Sequence, residues 1–231
     1  NQEYPHLRAR IEETYAAGVK TTNKNSLYDS YIEAFRWATD RLQEGSGSEG
    51  GIVAFVSNGS WIANAAMAGM RIALMKEYSR IYIFDLRGNQ RTSGELSRKE
   101  GGKIFGSGSR TPIGITVLVK KPEQSADEPA EVLYHDIGDY LSREEKLQLI
   151  AKFGDLSNSE MSWTRLETDE HGDWLEKRSG VFGTLIPLGN KEDKKSRETV
   201  FLPIYSNGLK TQRDSWCYNS CLLYTSDAAD D

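Results

Sequence analysis

A glycine-rich, basic segment between residues 98 and 110 holds the side chains best suited to a binding or chemical role. Phe105 is its one aromatic residue. Its cations are Arg98, Lys99, Lys103 and Arg110. Cations in such a loop are suited to contact nucleic-acid phosphates, which position a bound strand without specifying its sequence. The alternatives are that each cation is ordinary solvated surface charge and that Phe105 is a core residue at a strand edge.

The sequence patterns argue against several other kinds of functional site. The basic segment lacks the Lys-Ser/Thr ending of a phosphate-binding P-loop, and a strand follows it where a P-loop has a helix. Asp85 ends a predicted strand, as a ribose-binding carboxylate would, but no glycine-rich strand–helix turn precedes it at the needed spacing. Asn58-Gly59-Ser60 matches a glycosylation sequon by chance. The histidines are scattered and are assigned no role: His6, His135 and His171.

Composition bounds the class of protein. The 231 residues carry 29 basic and 34 acidic side chains, a formal net charge of −5. Three acidic residues lie within positions 221–231, so the remainder has 31 acidic against 29 basic residues, a net charge of −2, and a nucleic-acid partner stays open. Cys217 is the one cysteine outside those positions, so neither a disulfide framework nor a metal site is predicted. No membrane-spanning run or signal peptide is visible, so we expect a cytoplasmic protein.

Charge is unevenly distributed along the chain. Residues 87–121 hold eight basic and two acidic side chains, whereas residues 123–176 hold four basic and fifteen acidic ones. A basic segment beside an acidic one suggests two surfaces with different partners. Two ordinary solvated faces are the alternative.

Apolar spacing predicts alternating helices and strands up to residue 122. Helices are predicted at 7–17, from an N-cap at Ser26 to Leu42, and at 63–78. Strands are predicted at 52–56, 81–86 and 113–119, and the unbroken apolar run at 52–56 is typical of a strand buried on both faces. This order indicates an α/β layer structure. The connection from 87 to 111 is too long for a plain loop, and such segments are usually functional or disordered.

A linker is predicted at 123–130, between a first region, 1–122, and a second, 131–220. The second region opens with a strand at 132–135 and a helix at 142–153, for which Ser142 and Glu145 form a capping box. Its remainder is interrupted by glycines and indicates an incomplete α+β segment.

Residues 221–231 (CLLYTSDAADD) back-translate to a sequence that resembles a transposon adapter used in sequencing libraries, so we expect a tail read from a metagenomic fragment. A native disordered tail is the alternative.

Several stretches resemble the C-terminal half of the catalytic domain of a γ-class N6-adenine DNA methyltransferase. They are residues 25–35, 51–61, 69–74, 103–105 and 112–120. Three more stretches resemble the type ISP restriction–modification proteins, in which one polypeptide joins a nuclease, a helicase-like ATPase, a methyltransferase and a target-recognition domain. They are residues 86–95 (LRGNQRTSGE), 135–146 (HDIGDYLSREEK) and 204–216 (IYSNGLKTQRDSW).

The resemblance implies a partial Rossmann-like methyltransferase sheet flanked by helices in 1–122, and the start of a coupler or target-recognition region in 131–220. It implies methyl transfer from S-adenosylmethionine to adenine N6 in double-stranded DNA, and restriction driven by ATP and Mg²⁺ in other domains of the same polypeptide. Phe105 falls in the segment that places an aromatic ring against the flipped adenine. The residues that would contact the DNA backbone are Arg98, Lys99, Lys103 and Arg110.

The chain departs from the family's pattern in one respect that matters for activity. The catalytic Asn-Pro-Pro-Tyr motif is absent. We expect it upstream of Asn1, with most of the S-adenosylmethionine pocket, so no catalytic or cofactor-binding residue is assigned here. Asn58, where many γ-class enzymes have Pro, is interpreted as subfamily variation. The alternative function is a non-catalytic DNA-binding or coupling module with a degenerate methyltransferase fold, which the upstream sequence would distinguish.

Overall fold

The computed structural model describes residues 4–17, 25–46, 50–106, 108–122, 128–179, 181, 184–189 and 200–201. The chain divides into two compact units, Asn1–Arg178 and Ser179–Asp231. In the second unit, the amide of Phe201 donates to the carbonyl of Pro187 at 2.9 Å. Cys217, the stretch 204–216 and the tail 221–231 lie outside the described residues, as does most of the predicted linker.

Five strands form one mixed sheet in the first unit. They are β1 (Gly51–Asn58), β2 (Arg80–Asp85), β3 (Ile113–Lys120), β4 (Glu131–Asp136) and β5 (Thr164–Leu166), in the spatial order β1-β3-β2-β4-β5. β3 is antiparallel to β1 and β2, β2 is parallel to β4, and β5 is antiparallel to β4. β1, β2 and β4 therefore run in one direction, and their carboxyl ends share one edge of the sheet.

Helices cover both faces of this sheet. α1 (Pro5–Thr14), α2 (Ser30–Ser46) and α3 (Ala68–Glu77) contribute to the larger core on one face, together with Ile83 of β2. α4 (Gly94–Glu100) lies in the segment between β2 and β3, and α5 (Arg143–Phe153) packs against Phe84 on the other face. Side chains alternate between faces along a strand, so neighbouring residues of β2 serve two separate cores. The predicted α/β class is confirmed, and the methyltransferase identity of the sheet stays a prediction.

The prediction that residues 52–56 are buried on both faces is wrong. Val53 and Phe55 pack against the larger core, but Ile52 is 68% exposed and Val56 is 57% exposed. β1 is an edge strand, and the described helices cover only one of its faces. An apolar run predicts a strand, whereas its place in the sheet decides how many of its faces are covered.

Two predicted helices begin later than the sequence indicated. The helix predicted from Ser26 is a short 3₁₀ turn, Asn25–Tyr28, followed by α2 from Ser30. The helix predicted at 63–78 is a 3₁₀ turn, Ala65–Met67, followed by α3. Helix ends are the least certain part of a pattern-based prediction because propensity changes little across them. Among the described residues, no helix is long and apolar enough to cross a membrane.

The sheet continues past the predicted linker. β4, which was expected to open the second region, pairs in parallel with β2 from Arg80↔Glu131 to Asp85↔Asp136. The first compact unit accordingly extends to Arg178. The functional division into a methyltransferase half and a coupler or target-recognition region stays a prediction, but residues 131–136 belong to the same sheet as β1–β3.

The predicted capping box is confirmed, and Ser142→Ala is expected to lower the free energy of unfolding by about 1 kcal/mol. The amide of Glu145 donates to the Ser142 hydroxyl, and the amide of Ser142 donates to the Glu145 carboxylate at 2.8 Å. Chemical denaturation measures the effect. The exposed Ser159 is a control position, where alanine is expected to cost less than about 0.5 kcal/mol. Equal losses for both variants would contradict the prediction.

Candidate nucleic-acid interface

The connection 87–112, which contains the basic segment, leaves and rejoins the sheet at the carboxyl edge of β2. The amide of Leu86 donates to the carbonyl of Ile113 at 2.9 Å, and the amide of Ile113 donates to the carbonyl of Arg87 at 3.0 Å. These two bonds close a segment that contains α4, so it is more than a long loop. The carboxyl ends of parallel strands are the usual place for ligand binding in open α/β sheets.

Polar contacts hold the two sides of the segment together. The amide of Gln90 donates to the carbonyl of Arg110 at 3.0 Å, and the Arg110 guanidinium donates to the carbonyl of Gln90 at 2.9 Å. The Gln90 side-chain amide donates to the carbonyl of Gly101 at 3.1 Å. Residues on both sides of Phe105 are therefore drawn toward the same point, Gln90.

Phe105 lies on the surface of this segment. Its side chain is 51% exposed, whereas the preceding Ile104 is buried in the smaller core with Leu86 and Ile137. Residues 102 and 104–106 are bends, and no strand lies within 101–106. The interpretation of Phe105 as a core residue at a strand edge does not fit this exposure. An exposed aromatic ring next to a firmly buried residue is well placed to contact a ligand.

The four predicted phosphate-contacting cations lie on this surface with different local partners. Arg98, with 75% of its side chain exposed, is 3.4 Å from Glu95, and Lys99 is 3.8 Å from Asp139. Both stand in the last turn of α4, where cations also stabilise the helix dipole. Exposed ion pairs of this kind are weak. Within the described residues, Lys103 and Arg110 have no carboxylate partner, so these two are the more available to an anion.

A partly buried polar network supports the base of the segment. Asp85 accepts hydrogen bonds from the Arg87 amide at 2.8 Å and the Tyr134 hydroxyl at 2.9 Å. The Arg87 guanidinium donates to both oxygens of Asp136, at 2.8 and 2.6 Å, and also pairs with Asp139. Burial raises the pKa of Asp85 although these two hydrogen bonds oppose the rise, and the bonds to Asp136 hold the pKa of Arg87 above its ordinary value.

A cavity of about 380 Å³ borders this network, with Asp85, Arg87, Glu100, Tyr134 and Asp136 among its walls. Each oxygen of Asp85 already accepts a hydrogen bond from within the protein. The rejection of Asp85 as a ribose ligand stays a prediction. Arg87 has a backbone φ of 55°, a conformation uncommon outside glycine, and its guanidinium pairs with Asp136 and Asp139.

The histidines have ordinary structural surroundings where contacts are seen. His135 is buried among Phe84, Phe153 and Trp163, and its Nδ1 lies 2.9 Å from the carbonyl of Ser162. His171 is partly exposed and neighbours Glu170. In the part of the chain that the structure describes, no three His, Cys, Asp or Glu side chains are arranged to hold a metal ion.

Three solved structures share both fold and sequence with this chain. A nuclease-deletion mutant of the type ISP restriction–modification enzyme LlaGI, in complex with a DNA substrate mimic, is 45% identical over 83% of this chain, with a TM-score of 0.72. The ATP-dependent type ISP enzyme LlaBIII bound to DNA is 34% identical over 94%, with a TM-score of 0.80. The DrdV–DNA complex is 32% identical over 98%, with a TM-score of 0.75.

The chain belongs to the type ISP restriction–modification enzymes. It spans 15%, 13% and 22% of the LlaGI, LlaBIII and DrdV chains, respectively. No family model and no curated protein matches the sequence. The resemblance to the type ISP enzymes noted in the sequence is thereby confirmed.

Two of the three stretches that resemble type ISP proteins contact each other in the fold. In addition to the Arg87–Asp136 pair, the Tyr140 hydroxyl donates to the Glu95 carboxylate at 2.7 Å. The Lys146 ammonium donates to the carbonyl of Leu86 at 2.9 Å. The stretches 86–95 and 135–146 thus form one polar interface at the carboxyl edge of the sheet. The third stretch, 204–216, lies outside the described residues.

Two residues of this type ISP interface were missed as functional candidates. Arg143 donates to the carbonyl of Ile104 at 2.9 Å. Lys146 is fully buried beside the start of residues 101–106, which we call the Phe105 loop. Local sequence gave each only the role of a helix residue. Their presence in the resemblance stretch 135–146 was the one signal that could have singled them out.

Proposed function

We propose that this chain supplies the target-base side of an adenine-N6 DNA methyltransferase within a type ISP restriction–modification enzyme. The exposed ring of Phe105, which projects from a basic segment at the carboxyl edge of the sheet, is the observation that carries this proposal. A base that leaves the DNA stack loses its stacking energy, and an aromatic face can replace it. The similar LlaGI, LlaBIII and DrdV structures are DNA complexes, which supports DNA as the partner.

The cations around Phe105 would act on the DNA backbone in this proposal. Lys103 and Arg110 flank the ring in sequence, and Arg98 and Lys99 extend the basic surface along α4. Contacts to phosphates would hold double-stranded DNA so that the flipped adenine reaches Phe105, without selecting the DNA sequence. The same contacts would serve a binding module that lacks catalysis, so they support DNA binding in either case.

S-adenosylmethionine is the proposed methyl donor. The polar groups of the cavity at the carboxyl edge are largely engaged with one another, as the pairing of Asp85 and Asp136 with Arg87 and Tyr134 illustrates. We therefore assign its binding mainly to upstream parts of the polypeptide. ATP and Mg²⁺ would act in other domains, in DNA translocation and cleavage, and the whole enzyme would be cytoplasmic.

Expression of the parent gene tests the proposed function. The full-length product should methylate adenine N6 in DNA when S-adenosylmethionine is supplied, detected by mass spectrometry of nucleosides after nuclease digestion. The parent should also contain Asn-Pro-Pro-Tyr upstream of Asn1. A parent that binds DNA but lacks both the motif and methylation would overturn the enzymatic proposal in favour of a DNA-binding or coupling module.

The isolated 231-residue chain is expected to have no methyltransferase activity. The reason is that the sequence contains no Asn-Pro-Pro-Tyr segment to hold the adenine amino group. Transfer of a radiolabelled methyl group from S-adenosylmethionine to DNA measures this, with the parent enzyme as the positive control. Labelling by the purified chain at a rate comparable to the parent would show that the catalytic residues lie within it.

A further inference from the structure

The buried ammonium group of Lys146 is bonded to backbone carbonyls. The side chain is fully buried, and its ammonium donates to the carbonyls of Leu86, Glu100 and Gly102 at 2.9, 2.7 and 2.8 Å. These three bonds use all the donors that a lysine has. Within the described residues it forms no ion pair with a carboxylate, and burial lowers its pKa. A buried cation destabilises the fold unless it is well paired. Its burial here therefore suggests a specific structural role.

The carbonyls that Lys146 binds lie where α4 ends and the Phe105 loop begins. Glu100 is the last residue of α4, and helix carboxyl ends carry unpaired carbonyls and partial negative charge. Lys146 therefore satisfies the end of α4 and the first residues of the loop together. Its third bond, to Leu86, ties both to the end of β2.

The backbone of the loop also lies directly against the start of α5. The amide of Gly102 donates to the carbonyl of Leu141 at 2.8 Å, and Arg143 donates to the carbonyl of Ile104 at 2.9 Å. A Cβ atom on Gly102 would stand 2.4 Å from the backbone nitrogen of Arg143, and one on Gly101 would stand 2.2 Å from the carbonyl oxygen of Leu141. Neither distance is possible for a real side chain, so the approach depends on glycine.

This contact with α5 stops immediately before Phe105. Ile104 is buried, Phe105 is half-exposed, and a Cβ atom on Gly106 would meet nothing within 4 Å. The loop is thus held up to residue 104 and projects into open space from residue 105. The position of the ring is set by its attachment to α5.

We propose that Lys146 and Arg143 are positioning residues for the target-base contact: they hold the backbone at 100–104 against α5 and so fix where Phe105 meets the extruded adenine. The proposal rests on the proposed function of Phe105. α5 lies in the region predicted to lead toward target recognition, and the proposal gives it direct contact with the Phe105 loop.

Hydrogen exchange of the full 231-residue chain tests the attachment without reference to catalysis. Lys146→Met keeps the length of the side chain and removes its three hydrogen bonds. Amide exchange in peptides covering 99–106 should become about ten- to a hundredfold faster, while exchange in β1–β3 stays unchanged. Lys152→Met is the matched control, since Lys152 is an exposed residue of the same helix that pairs with Glu160. Unchanged exchange at 99–106 would overturn the proposal.

A second pair of variants covers the case in which Lys146→Met does not fold. Gly102→Ala must push the loop backbone away from Arg143, whereas Gly106→Ala has open space and serves as its control. Gly102→Ala should raise exchange at 99–106, and Gly106→Ala should leave it near the wild-type rate. Equal exchange for the two variants would contradict attachment of the loop to α5.

A double-mutant comparison in the parent enzyme separates positioning from general stability. Lys146→Met should lower the methylation rate constant with Phe105 present and have little further effect in a Phe105→Ala background, because the two residues act through one contact. Equal losses in both backgrounds would overturn the positioning role. If Phe105→Ala alone leaves methylation unchanged, the proposed function of Phe105 fails, and the exchange results still report separately on whether the loop is attached to α5.

Discussion

Phe105→Ala in the intact parent enzyme is expected to lower adenine methylation about 5- to 150-fold, because base–aromatic stacking contributes roughly 1–3 kcal/mol. The ring is half-exposed, so its removal should change the free energy of unfolding little. Phe105→Trp should retain more activity than Phe105→Ala because it keeps a flat aromatic face. The measurement is the rate of methylation under single-turnover conditions, together with a denaturation curve for each variant.

Leu96→Ala is the matched control for this prediction, because Leu96 is an exposed apolar residue of α4, in the same connection between β2 and β3. It should leave methylation near the wild-type rate. Unfolding of the Phe105→Ala variant without a specific methylation defect would mean that Phe105 acts in packing. No change in either property would mean that residues 101–110 are not the base-contact segment.

Arg71→Met is expected to destabilise the chain by about 3–5 kcal/mol, the usual cost of breaking a buried ion pair on one side. Arg71 and Asp173 are both buried and lie 2.7 Å apart. Arg71 also donates to the backbone carbonyls of Trp61, Asn64 and Gly172, so it joins the turns after β1 to a distant part of the chain. Its removal would leave several buried acceptors unpaired. Denaturant unfolding measures the loss.

Two comparisons sharpen the Arg71 prediction. Arg80→Met removes an exposed partner of Glu131 and should change stability far less. The double variant Arg71→Met with Asp173→Leu should recover part of the loss, because the buried carboxylate is removed as well. Arg178 also contacts Asp173, so recovery is expected to be incomplete. A loss from Arg71→Met no larger than that from Arg80→Met would contradict the buried-pair argument.

The features that the sequence predicted well are those encoded over a few neighbouring residues. Unbroken apolar runs predicted β2 and β3 to within one residue at each end. Ser142 and Glu145 predicted the start of α5 because a capping box involves only residues three apart. The length of the connection from 87 to 111 predicted more than a plain loop, and α4 lies within it. The family resemblance, based on three segments of about ten residues each, predicted membership in the type ISP enzymes.

The features that only the tertiary structure decided depend on residues far apart in the chain. An apolar run at 52–56 specifies a strand, but its exposure followed from the edge position of β1. The parallel pairing of β4 with β2 crosses the predicted linker, because a strand pairs wherever its hydrogen-bonding edge and apolar face find a match.

The candidate site likewise has features that the sequence predicted and features that only the fold decided. Sequence determined that residues 98–110 are basic, rich in glycine and marked by one aromatic ring. It did not determine that Ile104 is buried and Phe105 exposed, because that depends on the attachment of the loop to α5 through Arg143 and Lys146, some forty residues further along the chain. Hydrogen bonds to backbone carbonyls leave no pattern in the residue types that accept them, so this hold on the loop became visible only in the folded chain.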